Sequence, residues 1–153
     1  MKKQAFTLVE ILVVATIIAI LAAGAAISYA SFAKQSRDAK RKTDLEQIRG
    51  AIEMYRSNVS GYPTSIDFTS CTMVALTDSV PNTYLSKIPN DPKCTTYIYN
   101  YIPSPNGCNN TVGNYCSDYT LGAFLETGGT GSCGVCTLAG GTCNYCLGPY
   151  GQK

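Results

Sequence analysis

The stretch AFTLVEILVVATIIAILAA, residues 5–23, begins an apolar run that contains one charge, the carboxylate of Glu10. Beyond it, residues 11–33 contain neither a charged residue nor a proline. At about 1.5 Å per residue, a helix of these residues spans roughly 35 Å, enough to cross the hydrocarbon core of a bilayer. A carboxylate in that core costs about 2.5–3.5 kcal/mol. The run therefore predicts a membrane-spanning helix whose one charge needs a partner or a function.

The helical pattern does not stop at the end of the apolar run, as it would after a secretory signal peptide. The apolar residues of the next part recur at spacings of three and four, along one face of a helix: Leu45, Ile48, Ile52, Tyr55 and Val59. Gly61 suits a left-handed helix end, and Pro63 prevents continuation. We therefore expect one helix over about residues 6–60. Gly24 weakens its apolar half by about 1 kcal/mol relative to alanine and marks a candidate point of local melting or close helix packing.

The segment RDAKRK, residues 37–42, concentrates positive charge just beyond the apolar run. It could bind anionic lipid headgroups next to the membrane. The alternative is an ordinary solvated face of the amphipathic helix, because Asp38, Asp44 and Glu46 interleave with the cations. Mixed signs weaken attraction to a surface, so we favour the solvated face.

Composition divides the chain into two regions and argues against several classes of function. Nine of the twelve Lys and Arg lie at or before Arg56, whereas all eight cysteines follow Gly61. The net charge of +2 predicts no nucleic-acid partner, and the absence of histidine removes the commonest general base and metal ligand. Neither a nucleophile–base pair nor a metal triad is legible in the sequence. We therefore expect no catalytic residues, no cofactor and no enzyme.

The even number of cysteines in a small, loop-rich region is typical of a disulfide-bonded domain in an oxidising compartment. We expect disulfides at all of them: Cys71, Cys94, Cys108, Cys116, Cys133, Cys136, Cys143 and Cys146. The pairing cannot be deduced from sequence, and Cys71 with Cys94 and Cys108 with Cys116 are guesses. The last four form two Cys-x-x-Cys pairs that could hold zinc, but their six-residue spacer is shorter than in common zinc patterns.

Residues 61–153 are expected to form a small head, stabilised largely by its disulfides. TYIYNYI, residues 96–102, and DYTLGAFL, residues 118–125, are predicted strands, and residues 72–80 are predicted to form one or two helical turns. We therefore expect an α+β fold, in which a small antiparallel sheet packs on the C-terminal half of the long helix.

Three tyrosines of the first predicted strand, Tyr97, Tyr99 and Tyr101, recur at every second residue and would share one face. Such a face could bind a ligand. More often it is the buried or subunit-facing side of a sheet, and we favour that interpretation.

KKQAFTLVEILVVATIIAILAA, residues 2–23, resembles the N-terminus of type IV pilins and type II secretion pseudopilins. The family pattern is a short basic leader, a small residue, then Phe-Thr-Leu-hydrophobic-Glu and an unbroken apolar helix. The small residue here is Ala5, where the family usually has glycine. The resemblance implies that a prepilin peptidase cuts between Ala5 and Phe6, and that the new Phe6 amine is N-methylated. Weaker likenesses to the heads of the family lie in GYPTS, YLSKIPNDPKCTTYIYNY and YTLGAFLETGG.

The resemblance also implies an organisation into four regions. These are a leader (residues 1–5), a membrane-spanning and filament-core helix (6–33), the amphipathic half of the same helix (34–60) and a cysteine-rich globular head (61–153). Family members with bound calcium hold it with acidic side chains of a late loop. Here only Asp118 and Glu126 are acidic after Asp91, so no metal site is expected.

The implied function is structural: a subunit stored in inner-membrane lipid, then polymerised with copies of itself into a helical filament on the cell surface. Its other partners would be the prepilin peptidase, an assembly ATPase and a platform protein. Glu10 would set the register between subunits by pairing with a neighbour's Phe6 amine. The alternative is a monomeric membrane-anchored binding module with a disulfide- or zinc-stapled head, which leaves Glu10 unexplained. Both place the head outside the cytoplasm, although the Lys and Arg of residues 34–42 oppose that orientation by the positive-inside rule.

Overall fold

The computed structural model of the protein describes residues 6–69, 71–72, 74–80 and 82–153, without the side chains of residues 26 and 27. Ala5, the residue before the expected cleavage point, lies outside this part of the chain. The described chain divides into two compact units, one of residues up to Ser36 and one of Arg37–Lys153.

A single helix, α1, runs from Leu8 to Val59, close to the expected span of residues 6–60. It ends differently from the expectation, because Ser60 rather than Gly61 adopts the left-handed backbone conformation, with φ 64°. Gly61 is needed for another reason. A Cβ at this position would collide with the side chain of Asn110, so the glycine lets a distant loop approach the end of the helix.

The second unit contains two antiparallel sheets. Its small sheet pairs β1 (Leu76–Thr77) with β2 (Thr83–Leu85), and its larger sheet has four strands in the order β3-β4-β5-β6. The strands of the larger sheet are Asn100–Ser104, Asp118–Ala123, Tyr145–Gly148 and Gly151–Gln152. The observed fold is therefore α+β, as the sequence predicts.

Two local predictions were wrong. Residues 72–80 contain the strand β1 instead of helical turns. The strand expected at residues 96–102 begins only at Asn100, because the backbone N–H groups of Thr96 and Tyr97 both donate to the carbonyl of Lys93 in a turn. The last strands, β5 and β6, lie in a glycine- and cysteine-rich segment without an alternating pattern.

The core of the second unit lies between α1 and the larger sheet. Leu45, Ile48 and Ile52 are completely buried, as the helical spacing predicts, and Tyr55 packs at the edge of the same cluster. The sheet, with the residue directly before β3, contributes a matching set of buried side chains: Tyr99, Tyr101, Tyr119, Leu121 and Leu147. These residues fix the C-terminal part of the helix against the head.

Four disulfides link all the cysteines of the head. Two are the pairs guessed from the sequence, Cys71–Cys94 and Cys108–Cys116, and the others are Cys133–Cys146 and Cys136–Cys143. The last two are nested, and their sulfurs form a small separate buried cluster. Gly122 of β4 makes room for them, since a Cβ there would lie 2.6 Å from the sulfur of Cys143.

The apolar helix surface and the charged seat of the head

The start of α1 is closed by a reciprocal pair of hydrogen bonds between Thr7 and Glu10. The backbone N–H of Glu10 donates to the hydroxyl oxygen of Thr7 at 3.2 Å, and the backbone N–H of Thr7 donates to the carboxylate of Glu10 at 3.3 Å. The Thr7 hydroxyl also donates to that carboxylate, at 3.2 Å. This arrangement is a capping box, which satisfies N–H groups that have no partner within the helix. Glu10 therefore has a local structural role in addition to the one that the family resemblance implies.

The apolar side chains that follow the capping box are exposed. Phe6 is 79% and Leu8 81% exposed, and the same holds for the larger apolar residues through the first unit: Val9, Ile11, Leu12, Val13, Val14, Ile17, Ile18, Ile20, Leu21, Tyr29 and Phe32. Gly24 lies among them, and a Cβ there would meet nothing within 4 Å. Among the described residues, α1 is the one helix long and apolar enough to cross a membrane. An unpartnered surface of this size is typical of a membrane or protein–protein interaction site.

A completely buried arginine, Arg41, anchors the helix to the head of the second unit. Its guanidinium forms a bidentate pair with Asp91, with Nε to Oδ2 at 2.7 Å and Nη2 to Oδ1 at 3.0 Å. Its Nη1 donates to Asp38 at 2.7 Å and to Glu126 at 3.0 Å. Paired guanidinium and carboxylate groups of this geometry are among the strongest hydrogen bonds in proteins. We call these residues, with Arg37 and Lys93, the Arg41 cluster.

Glu126 is the second centre of the Arg41 cluster. Arg37 donates to its carboxylate from Nε at 2.6 Å and from Nη2 at 2.7 Å, and Lys93 donates from Nζ at 2.9 Å. The hydrogen bonds from Arg37 outweigh burial and, together with those from Lys93 and Arg41, hold the pKa of Glu126 well below its usual range. The carboxylate is therefore charged at neutral pH.

Asp38 connects the same cluster to the backbone after β4. Its carboxylate accepts the N–H groups of Glu126 at 2.9 Å and Thr127 at 2.8 Å, and the Thr127 hydroxyl at 2.7 Å. Burial alone would raise the pKa of Asp38. The hydrogen bonds from Thr127 and the backbone, with that from Arg41, more than offset it and lower this pKa.

The interpretation of residues 37–42 as an ordinary solvated helix face is therefore wrong for two of its five charged residues. Asp38 and Arg41 are buried, and so is Asp44 on the next turn. A signal for this was present in the sequence: Arg41 lies four residues before Leu45, so it continues the buried stripe of the helix toward the N-terminus. The sequence-based interpretation placed these positions in solvent because their side chains are charged.

Tyrosine hydroxyls satisfy the remaining buried acceptors between α1 and the sheet. Tyr99 donates to Asp44 at 2.9 Å, and Tyr101 donates to the carbonyl of Pro63 at 2.6 Å. Tyr119 donates to Glu53 on α1 at 3.2 Å. Burial, together with the nearby Asp44 carboxylate, raises the pKa of Tyr99 well above its usual range, so this hydroxyl stays protonated.

Of the three tyrosines expected on one strand face, only Tyr101 lies in a strand, since Tyr97 and Tyr99 both precede β3. Tyr99 and Tyr101 are buried against the helix, in agreement with the favoured interpretation of a buried side. Tyr97 precedes β3 and stacks on Phe124, with ring centroids 5.0 Å apart, while the Arg41 guanidinium lies 5.1 Å from its ring centre. The three rings therefore do not form a common ligand-binding surface.

The cysteine pairs that could have held zinc are joined as disulfides instead. Cys133, Cys136, Cys143 and Cys146 have no free thiol in the structure. In the described part of the chain, no group of three or more His, Cys, Asp or Glu side chains could hold a metal ion.

Comparison with known proteins gives two matching family models. Residues 1–26 match the prokaryotic N-terminal methylation motif, and residues 28–130 match protein G of the type II secretion system. The type II secretion system core protein G of Vibrio cholerae serotype O1 is 29% identical over 136 residues, which cover 86% of this chain and 88% of that protein. No solved structure gives a significant match. The protein G family model covers two thirds of the chain. The chain therefore belongs to the type II secretion system protein G family of pseudopilins.

Proposed function

We propose that the protein is stored in the membrane through the apolar part of α1 and polymerised through the same surface into the pseudopilus of a type II secretion system. Membrane anchoring with an extracytoplasmic head is what the family and the apolar helix support. In the polymer, the apolar helices of many copies would form a common core, with the heads outside. Each subunit would leave the membrane as it joins the filament.

The observation that carries this proposal is the contrast in exposure within one chain. The large apolar residues of the first unit are between about half and four-fifths exposed, whereas the head leaves no buried side-chain polar atom without a partner among the described residues. The buried polar side chains of the head therefore need no further hydrogen-bond partner. The apolar helix surface does need one, first lipid and then copies of itself.

Glu10 has a proposed role in assembly beyond the capping box. Cleavage before Phe6 would create an α-amine with a pKa near 7.7–8.0, positively charged over much of the physiological range. In a filament core that excludes water, an unpaired Glu10 would cost several kcal/mol, and pairing with the Phe6 amine of a neighbouring copy offsets that cost. Such a pair forms only at one axial offset between subunits, so it would set their register.

The proposed partners follow from the family. A prepilin peptidase would remove residues 1–5 at Ala5 and methylate the Phe6 amine, and an assembly ATPase and a platform protein would drive extraction from inner-membrane lipid. Intact-mass analysis of assembled filaments tests the processing step. It should show the loss of residues 1–5 and the gain of one methyl group, whereas a subunit that keeps Met1 in a filament contradicts the proposal.

Substitutions at Glu10 test polymerisation itself, and the capping box allows a sharp design. Glu10→Val and Glu10→Ala remove both the cap and the charge. Glu10→Gln keeps a side chain that can complete the capping box but removes the charge. We expect all three variants to remain membrane-inserted and cleaved, and to assemble poorly, with Glu10→Asp intermediate because its side chain is shorter. The measurement is electron microscopy of surface filaments from cells that express each variant, with fractionation to follow insertion.

Thr7→Ser and Thr7→Val are the matched controls for the cap. Thr7→Ser keeps the hydroxyl, and Thr7→Val removes it without touching the charge. If Thr7→Val prevents assembly and Glu10→Gln does not, the cap rather than the charge is what matters. If Glu10→Val assembles normally, pairing is not required, and the monomeric anchored binding module becomes the better explanation.

A further inference from the structure

We propose that the outward-facing cations around the Arg41 cluster form a site for anionic phospholipid headgroups while the subunit is stored in the membrane. We call this set the basic collar: Arg37, Lys40, Lys42 and Lys93. The proposal rests on the membrane anchoring proposed above, and it adds a lipid class to it. It also replaces the interpretation favoured from the sequence, in which residues 37–42 form an ordinary solvated helix face because their charges have mixed signs.

The fold separates the two signs of charge that are mixed in the sequence. The carboxylates of this region turn inward and expose at most 7% of their side chains: Asp38, Asp44, Asp91 and Glu126. The cations keep a larger exposed part, 59% for Lys40, 42% for Lys93 and 27% for Arg37, and Lys42 is exposed as well. In the described part of α1, no exposed carboxylate lies between Glu10 and Glu46. Positive and negative residues alternate along the sequence here, but those exposed to solvent are positive.

The charged end of each collar side chain has a contact within the protein. Lys40 lies 3.3 Å from Asp44, and the Lys42 ammonium lies 5.4 Å from the ring centre of Tyr145. Arg37 and Lys93 share the carboxylate of Glu126. These contacts are partial, because an ammonium group has three donors and only one is used by Lys40. The remaining donors of the two lysines on α1 are directed to solvent and are available to phosphate oxygens.

Position along the chain favours a lipid surface as the occupant. Lys40 and Lys42 follow residue 33, the last of the apolar run, by seven and nine residues, which is at most about 14 Å of helix. Side chains on a helix tilt toward its N-terminus, and the apolar stem of a lysine lets its ammonium extend further. In the structure the Lys40 ammonium lies beside Asp44, one turn toward the C-terminus, so we propose that it exchanges this contact for a headgroup phosphate when the subunit is in the membrane. Attraction to a charged surface acts within about one Debye length, roughly 8 Å at physiological ionic strength.

The cations of the collar are not gathered at one point of the surface. Its cations come from separate places in the second unit: Lys40 next to Asp44, Lys42 over a tyrosine of β5, and Lys93 from the loop before β3. A single acidic group on a neighbouring subunit could pair with one of them. A layer of anionic headgroups can meet several at once, and each lysine near such a surface changes binding by about fivefold.

The test uses the full-length chain, inserted into vesicles of phosphatidylcholine with or without phosphatidylglycerol. After mild release into detergent, native mass spectrometry gives the ratio of the two lipids retained by the protein. The variants are Lys42→Gln, the double variant Lys40→Gln/Lys42→Gln, and the charge-matched control Lys87→Gln on an exposed part of the head. Lys42→Arg keeps the charge. Resistance to urea is measured on the same samples, so that a loss of folding is recognised.

We expect the wild-type chain to retain phosphatidylglycerol preferentially, and this preference to fall about fivefold in Lys42→Gln and further in the double variant. Lys87→Gln and Lys42→Arg should keep it, and added salt should weaken it. An equal preference in the double variant and the wild type overturns the collar. If that variant keeps its lipid preference but assembles poorly, the cations bind a neighbouring subunit instead. Vesicle flotation separates this outcome from failure of the proposed function, because a wild-type chain that does not float with vesicles is not membrane-anchored at all.

Discussion

The first unit of the chain leaves its large apolar side chains exposed, whereas the second buries four charged ones: Asp38, Arg41, Asp44 and Asp91. In the described part of the first unit, the large apolar side chains of α1 are about half to four-fifths exposed, and the carboxylate of Glu10 is bound by Thr7. In the second unit, Arg41 and Asp91 are removed from water and satisfied by one another. One helix therefore serves two opposite purposes. One part is kept open for other molecules, and the other is fixed to its own head.

Arg41→Met tests the closed region most severely. The substitution keeps a long side chain but leaves Asp38, Asp91 and Glu126 without their shared cation, and breaking a buried pair in this way costs about 3–5 kcal/mol. Arg49→Met is the matched control on the same helix, because Arg49 is partly exposed. Its guanidinium pairs with Glu46 and makes a long hydrogen bond, 3.4 Å, to the carbonyl of Pro149. This substitution should cost less than about 1 kcal/mol. Urea unfolding of the full-length protein in detergent measures both, and similar losses would contradict a special role for the buried cluster.

Removing the Cys71–Cys94 bridge should have the next largest effect. This disulfide closes a longer loop than any other in the head, with a sequence separation of 23, and Cys71 is exposed, so little packing is lost with it. The loop-closure estimate for the double variant Cys71→Ala/Cys94→Ala is a loss of about 3 kcal/mol. The single variant Cys71→Ala should lose the same amount. Alkylation of the native wild-type protein should label no cysteine, and labelling without reductant would contradict the disulfide assignment.

Acid should loosen the second unit before it affects the first. The pKa values of Asp38 and Glu126 are lowered in the folded protein, so both groups stabilise it above the ordinary carboxyl pKa values of 3.8 and 4.5. That stability is lost as the pH falls below these values toward the folded pKa values. We expect a loss of about 2 kcal/mol between pH 5 and pH 3. In Glu126→Gln the slope of stability against pH over this range should be shallower, and an unchanged slope would exclude Glu126 as its source.

Replacing Gly24 with alanine should have the smallest effect, and it acts on the open region. A Cβ at either Gly24 or Gly50 would have no atom within 4 Å, so alanine fits at both positions. Alanine favours a helix by about 1 kcal/mol over glycine. We expect hydrogen exchange near residue 24 to slow by about fivefold in Gly24→Ala. Gly50→Ala should change local exchange less, because the head already holds that part of α1. Equal slowing would indicate that the head gives the helix no extra protection.

The sequence predicts the elements whose pattern depends on apolar side chains. The helix boundaries fall within two residues of the expectation at each end, and Leu45, Ile48 and Ile52 are buried as their spacing requires. The start of β4 at Asp118 was also correct. Local periodicity is sufficient in these cases because each element buries a regular stripe.

The parts that sequence did not predict depend on contacts between distant residues. Tyr97 looked like a strand residue, but it pairs across an isolated bridge with Thr137, forty residues later, while a turn holds the backbone before it. Arg41 is buried because Asp91 and Glu126 approach it from two loops, and neither partner is visible from the helix alone. The capping box at Thr7 and Glu10 is a different case. Its Thr-x-x-Glu spacing could have been recognised in the sequence.

The nesting of the last two disulfides has a consequence for the order in which the head matures after export. For Cys71–Cys94 and Cys108–Cys116, each cysteine pairs with the next one along the chain. An oxidant that acts on cysteines as they emerge would form both correctly. The same order of events would join Cys133 to Cys136, whereas the native partner of Cys133 is Cys146. The final segment therefore reaches its native pairing only if oxidation waits for the whole segment, or if a thiolate later exchanges the premature bond.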